Sequence, residues 1–186
     1  HHIFSSTDDV GDRMYSTSAK IINDNLSDFS EWLREIGELA QMRNFPVHVE
    51  VRRTEKGIVP IEVNPLRFGG WCTTADITAA AYGFNPYVYY FENKRPDWDE
   101  ILSTRAGKTY SMVILDNVTD LANEDIESFD YDALLKRLEN PLELRKLDHK
   151  EYPIFGFLFM ETSAENSGEL GWMLRTSLRE FITTNS

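Results

Sequence analysis

Two short β-rich runs, Val47-His48-Val49-Glu50-Val51 and Ile58-Val59-Pro60-Ile61-Glu62-Val63, flank the polar segment Arg52-Arg53-Thr54-Glu55-Lys56-Gly57. β-Branched residues favour the pleated strand, and a polar stretch closing on glycine lets the chain reverse. The spacing predicts an antiparallel hairpin. Upstream, residues 16–24 and 27–42 predict helix in two pieces, with Ser27 capping the second and Asp28 and Glu31 at the positive end of its dipole. Phe29, Leu33, Ile36 and Ala40 recur at helical spacing and give that piece one apolar face.

Downstream, Asn64-Pro65-Leu66-Arg67-Phe68-Gly69-Gly70 cannot continue a regular strand and predicts a loop. Residues 74–82 are alanine-rich and helical, stopped by Gly83, and Asn85-Pro86 opens a short helix through Phe91. Lys94-Arg95-Pro96-Asp97 reads as a turn. The second half predicts strands over 110–116, 142–147 and 154–160, with helices over 131–138 and 168–182. Leu170, Leu174, Leu178 and Phe181 supply the apolar face of the last helix. The expected class is α+β, with mainly antiparallel strands and packed helices.

Composition narrows the partners. Of 186 residues 41% are hydrophobic, enough for a core, which excludes a disordered acidic tail. The length suits one domain or one large lobe. With 31 acidic and 19 basic side chains the net charge is −12, which disfavours nucleic acid and anionic membrane as partners but leaves a nucleotide open. One cysteine, Cys72, allows no internal disulfide and suits a reducing, cytoplasmic compartment. No apolar run approaches the ~20 residues of a membrane span, and no signal peptide is visible. The chain opens His1-His2-Ile3-Phe4 without methionine, read either as a tag remnant or as a strand cut in mid-course.

Chemistry concentrates on the hairpin. Glu62 and Asn64 are two residues apart and share a strand face, and Glu50 lies twelve residues earlier on the partner strand. Pairing Val51 with Ile58 would set Glu50 against Val59 and leave Glu62 on the opposite face. A one-residue bulge at Pro60 would bring both glutamates to one face. Two carboxylates and an amide oxygen are hard donors suited to Mg²⁺ or Mn²⁺. Periodicity alone also accommodates both glutamates as solvent-facing positions. His48 alternates with Glu50 and could line the same face, or simply be packed or exposed.

The stretch Glu62-Val63-Asn64-Pro65-Leu66-Arg67-Phe68-Gly69-Gly70, with Glu50 on the preceding strand, resembles the metal-binding strand and loop of the ATP-grasp superfamily. The resemblance implies an ATP-dependent carboxylate–amine or carboxylate–thiol ligase that uses Mg-ATP, a small carboxylate substrate and an acyl-phosphate intermediate. It further implies Glu50, Glu62 and Asn64 as metal ligands, the two glutamates also serving the nucleotide. Arg67 would be the catalytic cation that meets the substrate carboxylate or the transferring phosphate. Many family members carry arginine directly after the proline, where this chain has Leu66.

The family's other parts do not appear. The ten glycines are scattered, without a phosphate-cradling cluster, and no lysine-bearing strand precedes the first helix. Residues 1–91 therefore resemble the C-terminal lobe of an ATP-grasp domain, with the N-terminal lobe as a missing partner. Residues 92–186 read as an α+β extension packed on it. The expectation is a fragment of a longer enzyme, inactive alone and able to self-associate through an exposed apolar face. The alternative is a non-catalytic protein-interaction domain that reuses the scaffold. Other candidates have ordinary roles: Cys72 an inert small hydrophobe beside Trp71, Asp76 a helix cap, and Arg52, Arg53 and Lys56 solvated charges. Gly69-Gly70 allow close backbone approach or form a turn, and Tyr87, Tyr89, Tyr90 and Phe91 are explained by packing.

Overall fold

The computed structural model describes residues 13–69 and 73–185. In chain order the elements are β1 (Met14–Ser18), α1 (Ala19–Leu39), β2 (Val47–Thr54), β3 (Gly57–Pro65), α2 (Thr73–Tyr82), α3 (Pro86–Phe91), α4 (Trp98–Ser103) and β4 (Lys108–Asp116). There follow β5 (Ile126–Phe129), α5 (Tyr131–Leu135), β6 (Asn140–Lys146), β7 (Ile154–Ser163), α6 (Ser167–Arg175) and β8 (Ile182–Thr184). The fold is α+β and its strand pairs are antiparallel. No helix among the described residues is long and apolar enough to cross a membrane. The chain divides into two compact units, residues 19–106 and residues 1–18 with 107–186. Compactness therefore divides the chain at 18 and 106, not at 91, because β1 pairs with β4 far along the sequence.

In the unit 19–106, α1 is one continuous helix instead of two pieces. Residues 24–27 contain neither proline nor glycine, so nothing interrupts the ladder, and Ser27 sits exposed in mid-helix instead of capping. The half-buried positions Ile22, Phe29, Trp32 and Ile36 follow the 3–4 spacing, while Leu33 is exposed and Ala40 lies beyond the helix end. Residues 16–18, read as helix from sequence, are strand, since pairing with β4 overrides local propensity. α2 stops at Gly83, whose φ of 76° is left-handed. Asn85 caps α3 by accepting hydrogen bonds from the Tyr87 and Val88 amides at 2.9 and 3.4 Å. The turn at 94–97 leads into a helix that the sequence did not reveal: Asp97 caps α4 by accepting from the Glu100 amide at 3.1 Å. Tyr82 and Phe84 each meet Trp98 edge-on with centroids 5.5 Å apart.

The other unit is a four-stranded sheet in the order β1-β4-β7-β6, beside the small β5-β8 pair. Val113, Leu115, Leu158 and Met160 of the two central strands join Met14 and Phe155 in the core, covered by Leu134 of α5 and Met173 and Leu174 of α6. Phe129 stacks on Phe155 at 4.3 Å and 24°. Glycine is required at 156, where a Cβ would lie 2.3 Å from the Arg145 carbonyl oxygen on β6. The last helix ends at Arg175 instead of 182. Its continuation is intercepted locally: the Thr176 hydroxyl accepts the Leu178 amide at 3.2 Å, and Leu178 turns left-handed at φ 61°. Leu178 and Phe181 are buried all the same, through a turn that leads into β8. Arg13, just ahead of β1, is buried and donates from Nε to Asp116 at 2.6 Å, and its guanidinium also reaches the Thr176 carbonyl.

Candidate functional site

The hairpin is tighter than the sequence suggested, and that sets everything on its face. The strands run through both arginines, so Thr54 pairs with Gly57, Arg53 with Ile58 and Val51 with Pro60. The Val51–Ile58 pairing expected from the β-rich runs does not occur. Glu55 and Lys56 alone form the turn. The Thr54 hydroxyl accepts the Lys56 amide at 3.1 Å and donates to the Gly57 carbonyl at 3.2 Å, and Gly57 takes a φ of 105° open to glycine. Arg53 is not merely solvated, since it pairs with Asp28 of α1.

Beyond Pro60 the register shifts by one residue. Val51 pairs with Pro60 but Glu50 pairs with Glu62, so Ile61 is looped out as a bulge next to the proline. His48 then pairs with Asn64. Directly opposed residues share a face, and i, i+2 residues share it too. His48, Glu50, Glu62 and Asn64 thus form a two-by-two patch on one face of the hairpin. Without the bulge Glu50 would oppose Ile61, and Glu62 would point away.

Within the patch, ligand-capable atoms of His48, Glu50 and Glu62 all lie within 4.8 Å of one another. His48 Nε2 is 3.9 Å from Glu50 Oε1, with the imidazole largely buried and the carboxylate 37% exposed. Burial pushes the His48 pKa down, against the pull of Glu50, and the positive charge of Arg67 pushes it further down, against Glu62. The net shift is downward, so at neutral pH His48 is an uncharged donor–acceptor and does not neutralise the glutamates. Among the described residues Glu62 has no ion-pair partner, and two carboxylates face each other across the strands. Such a pair is destabilising unless a cation joins it. Among the described residues, His48 Nδ1 and Asn64 Nδ2 are buried without a hydrogen-bond partner. Two carboxylates, an amide and a neutral imidazole fit a divalent cation of the Mg²⁺ or Mn²⁺ kind, the imidazole favouring Mn²⁺.

The loop after β3 is held by a Leu66 amide bond to the Pro46 carbonyl at 2.8 Å, with Leu66 itself left-handed at φ 61°. That conformation is uncommon for a bulky side chain and turns the chain sharply after the strand. Arg67 is exposed and has no ion-pair partner among the described residues. Gly69 has a φ of 108°, and a Cβ there would lie 2.4 Å from Thr74 Oγ1 and 3.1 Å from His48 Cδ2. Its close approach is therefore to the site's own histidine and to the start of α2. Gly70, Trp71, Cys72, His1 and His2 lie outside the described residues. Asp76 falls within the first turn of α2, instead of ahead of it as a cap. The aromatic residues of α3 are not core: no residue of that helix is fully buried.

Residues 1–75 match the family model described as ATP-grasp domain. Among solved structures the chain is similar to an L-amino acid ligase from Bacillus licheniformis, with 15% identity and a TM-score of 0.64, over 98% of this chain and 48% of that one. The chain spans about half the length of that ligase. No curated protein matches it.

Proposed function

We propose that the chain carries the metal-binding part of an ATP-dependent ligase of the ATP-grasp kind, a reading supported by the ATP-grasp domain model that matches residues 1–75. The reaction class is carboxylate–amine or carboxylate–thiol ligation, in which ATP activates a small carboxylate as an acyl phosphate and a nucleophile displaces the phosphate. The observation that carries this reading is the bulge-aligned pair Glu50–Glu62, flanked by Asn64 and followed by the Arg67 loop. Glu50, Glu62 and Asn64 would hold Mg²⁺ or Mn²⁺, with neutral His48 beside them. When bound, the metal supplies charge neutralisation at phosphate oxygens. The chain's own part is orientation. Paired strands fix the carboxylates, Gly69 lets the loop close on His48, and Arg67 offers a guanidinium suited to clamp an anion bidentately.

The closing experiment is calorimetric titration of Mg-ATP into this chain and into a longer protein containing it. Phosphate release is followed in the longer protein. Glu62→Gln, at an exposed position, should leave folding intact and abolish ATP-dependent phosphate release. Unchanged turnover would sink the site assignment. A second reading, a non-catalytic interaction domain, draws on the exposed apolar side chains Leu39, Ile61 and Leu66. It requires that neither form bind Mg-ATP.

A further inference from the structure

We propose that the cleft between the Arg67 loop and α3 binds a small carboxylate with an aromatic or large aliphatic body, its anionic end at Arg67 and its body against Tyr87 and Phe91. As a statement about the ligase substrate this rests on the proposed function; as a statement about binding it stands apart.

The cleft has a volume of about 500 Å³, within the range of small-molecule sites. Leu66, Arg67 and Phe68 form one side, and Tyr87, Tyr90 and Phe91 of α3 the other. Phe68 joins the two walls, its ring centroid 4.3 Å from Tyr87 and 5.7 Å, edge-on, from Tyr90. Tyr90 is itself pinned, donating its hydroxyl to the Asn44 carbonyl at 3.1 Å. The aromatic wall is therefore joined by ring contacts, from Tyr87 through Phe68 and Tyr90 to Phe91. At the mouth, Phe91 is 78% and Leu66 75% exposed, apolar area that a ligand body would remove from water.

Charge selects the other half of the ligand. Among the described residues, Arg67 is the only charged one lining the cleft, and it has no ion-pair partner. A cation without an ion-pair partner favours an anion. Inorganic phosphate would satisfy Arg67 but leave the aromatic wall unused, and a neutral aromatic would leave the guanidinium unused. An amphipathic carboxylate uses both. Gly69 also lines the cleft, and a Cβ there would come within 3.1 Å of His48 Cδ2, so the cleft adjoins the hairpin at that histidine. The aromatic run on α3, self-explanatory as packing from sequence alone, is then the specificity-determining element.

The test uses the full chain without metal or nucleotide, titrated with 3-phenylpropionate, acetate, 3-phenylpropan-1-ol and inorganic phosphate. Binding is followed by calorimetry and by side-chain NMR shifts. 3-Phenylpropionate should bind about tenfold or more tightly than each of the others, the scale of one charge-assisted contact or one apolar group. Phe91→Ala, at a site too exposed to unfold the chain, should weaken 3-phenylpropionate about fivefold and leave acetate unchanged. Arg67→Gln should erase the preference for the acid over the alcohol. Equal affinity for all four probes, tighter binding of phosphate, or indifference to both substitutions would overturn the proposal. Mg-ATP is titrated separately. If it fails to bind while 3-phenylpropionate binds as expected, the ligase reading falls and the cleft stands; the opposite pattern removes the cleft and keeps the ligase reading.

Discussion

Single side chains tie the molecule together where charge is held against burial. Glu161 of β7 receives Lys108 of β4 at 2.8 Å and Asn140 of β6 at 3.3 Å, so one carboxylate clamps three strands. Burial raises its pKa, but hydrogen bonds from Lys108, Tyr110 and Asn140 and the charge of Lys108 outweigh that, leaving it below the ordinary glutamate value. A folded-state pKa below the unfolded one means that the unfolded chain binds the extra proton. The stabilisation is complete above the unfolded pKa of about 4.3 and is lost as pH falls from there through the folded value. Glu161→Gln should therefore cost about 1 kcal/mol at pH 7. Urea unfolding from pH 7 to pH 3 should show the gap to wild type closing below about pH 4. A gap that stays constant across that range would show that the carboxylate's charge plays no part.

At the scale of the element, the hairpin shows one extra residue deciding a site. Ile61 has no cross-strand partner, and its presence outside the ladder is what sets Glu50 opposite Glu62. Removing it would leave a regular ladder in which the two glutamates still oppose each other. Deletion of Ile61 should thus keep Mn²⁺ affinity within about threefold, less than the loss expected from one ligand contact. Deletion of Val63 should be far worse. It makes Glu62 and Asn64 adjacent, hence on opposite faces, and should weaken Mn²⁺ binding by about tenfold or more. Electron paramagnetic resonance of Mn²⁺ added to each variant measures both. Equal loss in the two deletions would mean that the shared face is not what holds the ion.

At the scale of the whole molecule, the chain is nested: residues 19–106 form a compact unit inserted between β1 and the sheet that β1 completes. Among the described residues, the five-residue strand β1 lies at the sheet's edge and has one strand neighbour, β4. Arg13 reinforces it, buried and paired with Asp116 and with the Leu174 and Thr176 carbonyls at the end of α6. Arg13→Ala leaves Asp116 without its cation and two carbonyls without a donor. It should destabilise the unit formed by 1–18 and 107–186 by about 2 kcal/mol, between an exposed ion pair and a fully buried one, because Asp116 is partly open to solvent. Denaturant unfolding, followed through Trp172 fluorescence, would measure this. A loss well under 1 kcal/mol would place Arg13 among ordinary surface ion pairs.

Much of this organisation was legible beforehand because it is written locally. Strong local chemistry identifies the hairpin, the α2 stop at Gly83, the Asn85-Pro86 start of α3 and the central strands β4 and β7: β-branched runs, a left-handed glycine, a capping amide. So does the Glu62-Val63-Asn64 alternation that puts two oxygen donors on one face. What the residues could not announce was set by partners distant in sequence. Residues 16–18 became strand because β4 lies 91 positions away, by the pairing of Ser18 with Thr109. The early end of α6 has a local bond, the Thr176 hydroxyl taking the Leu178 amide, but what holds Leu178 and Phe181 there is the core they enter. The meeting of Glu50 and Glu62 required a looped-out residue; Pro60 marked where a bulge could fall, and the pairing of the two strands put it at the neighbouring Ile61. The sequence by itself determined which side chains have the chemistry to hold a metal and an anion. Only the tertiary structure decided that four of them share one face and that an aromatic cleft opens beside Arg67, because shared faces and clefts are properties of pairing and packing between segments.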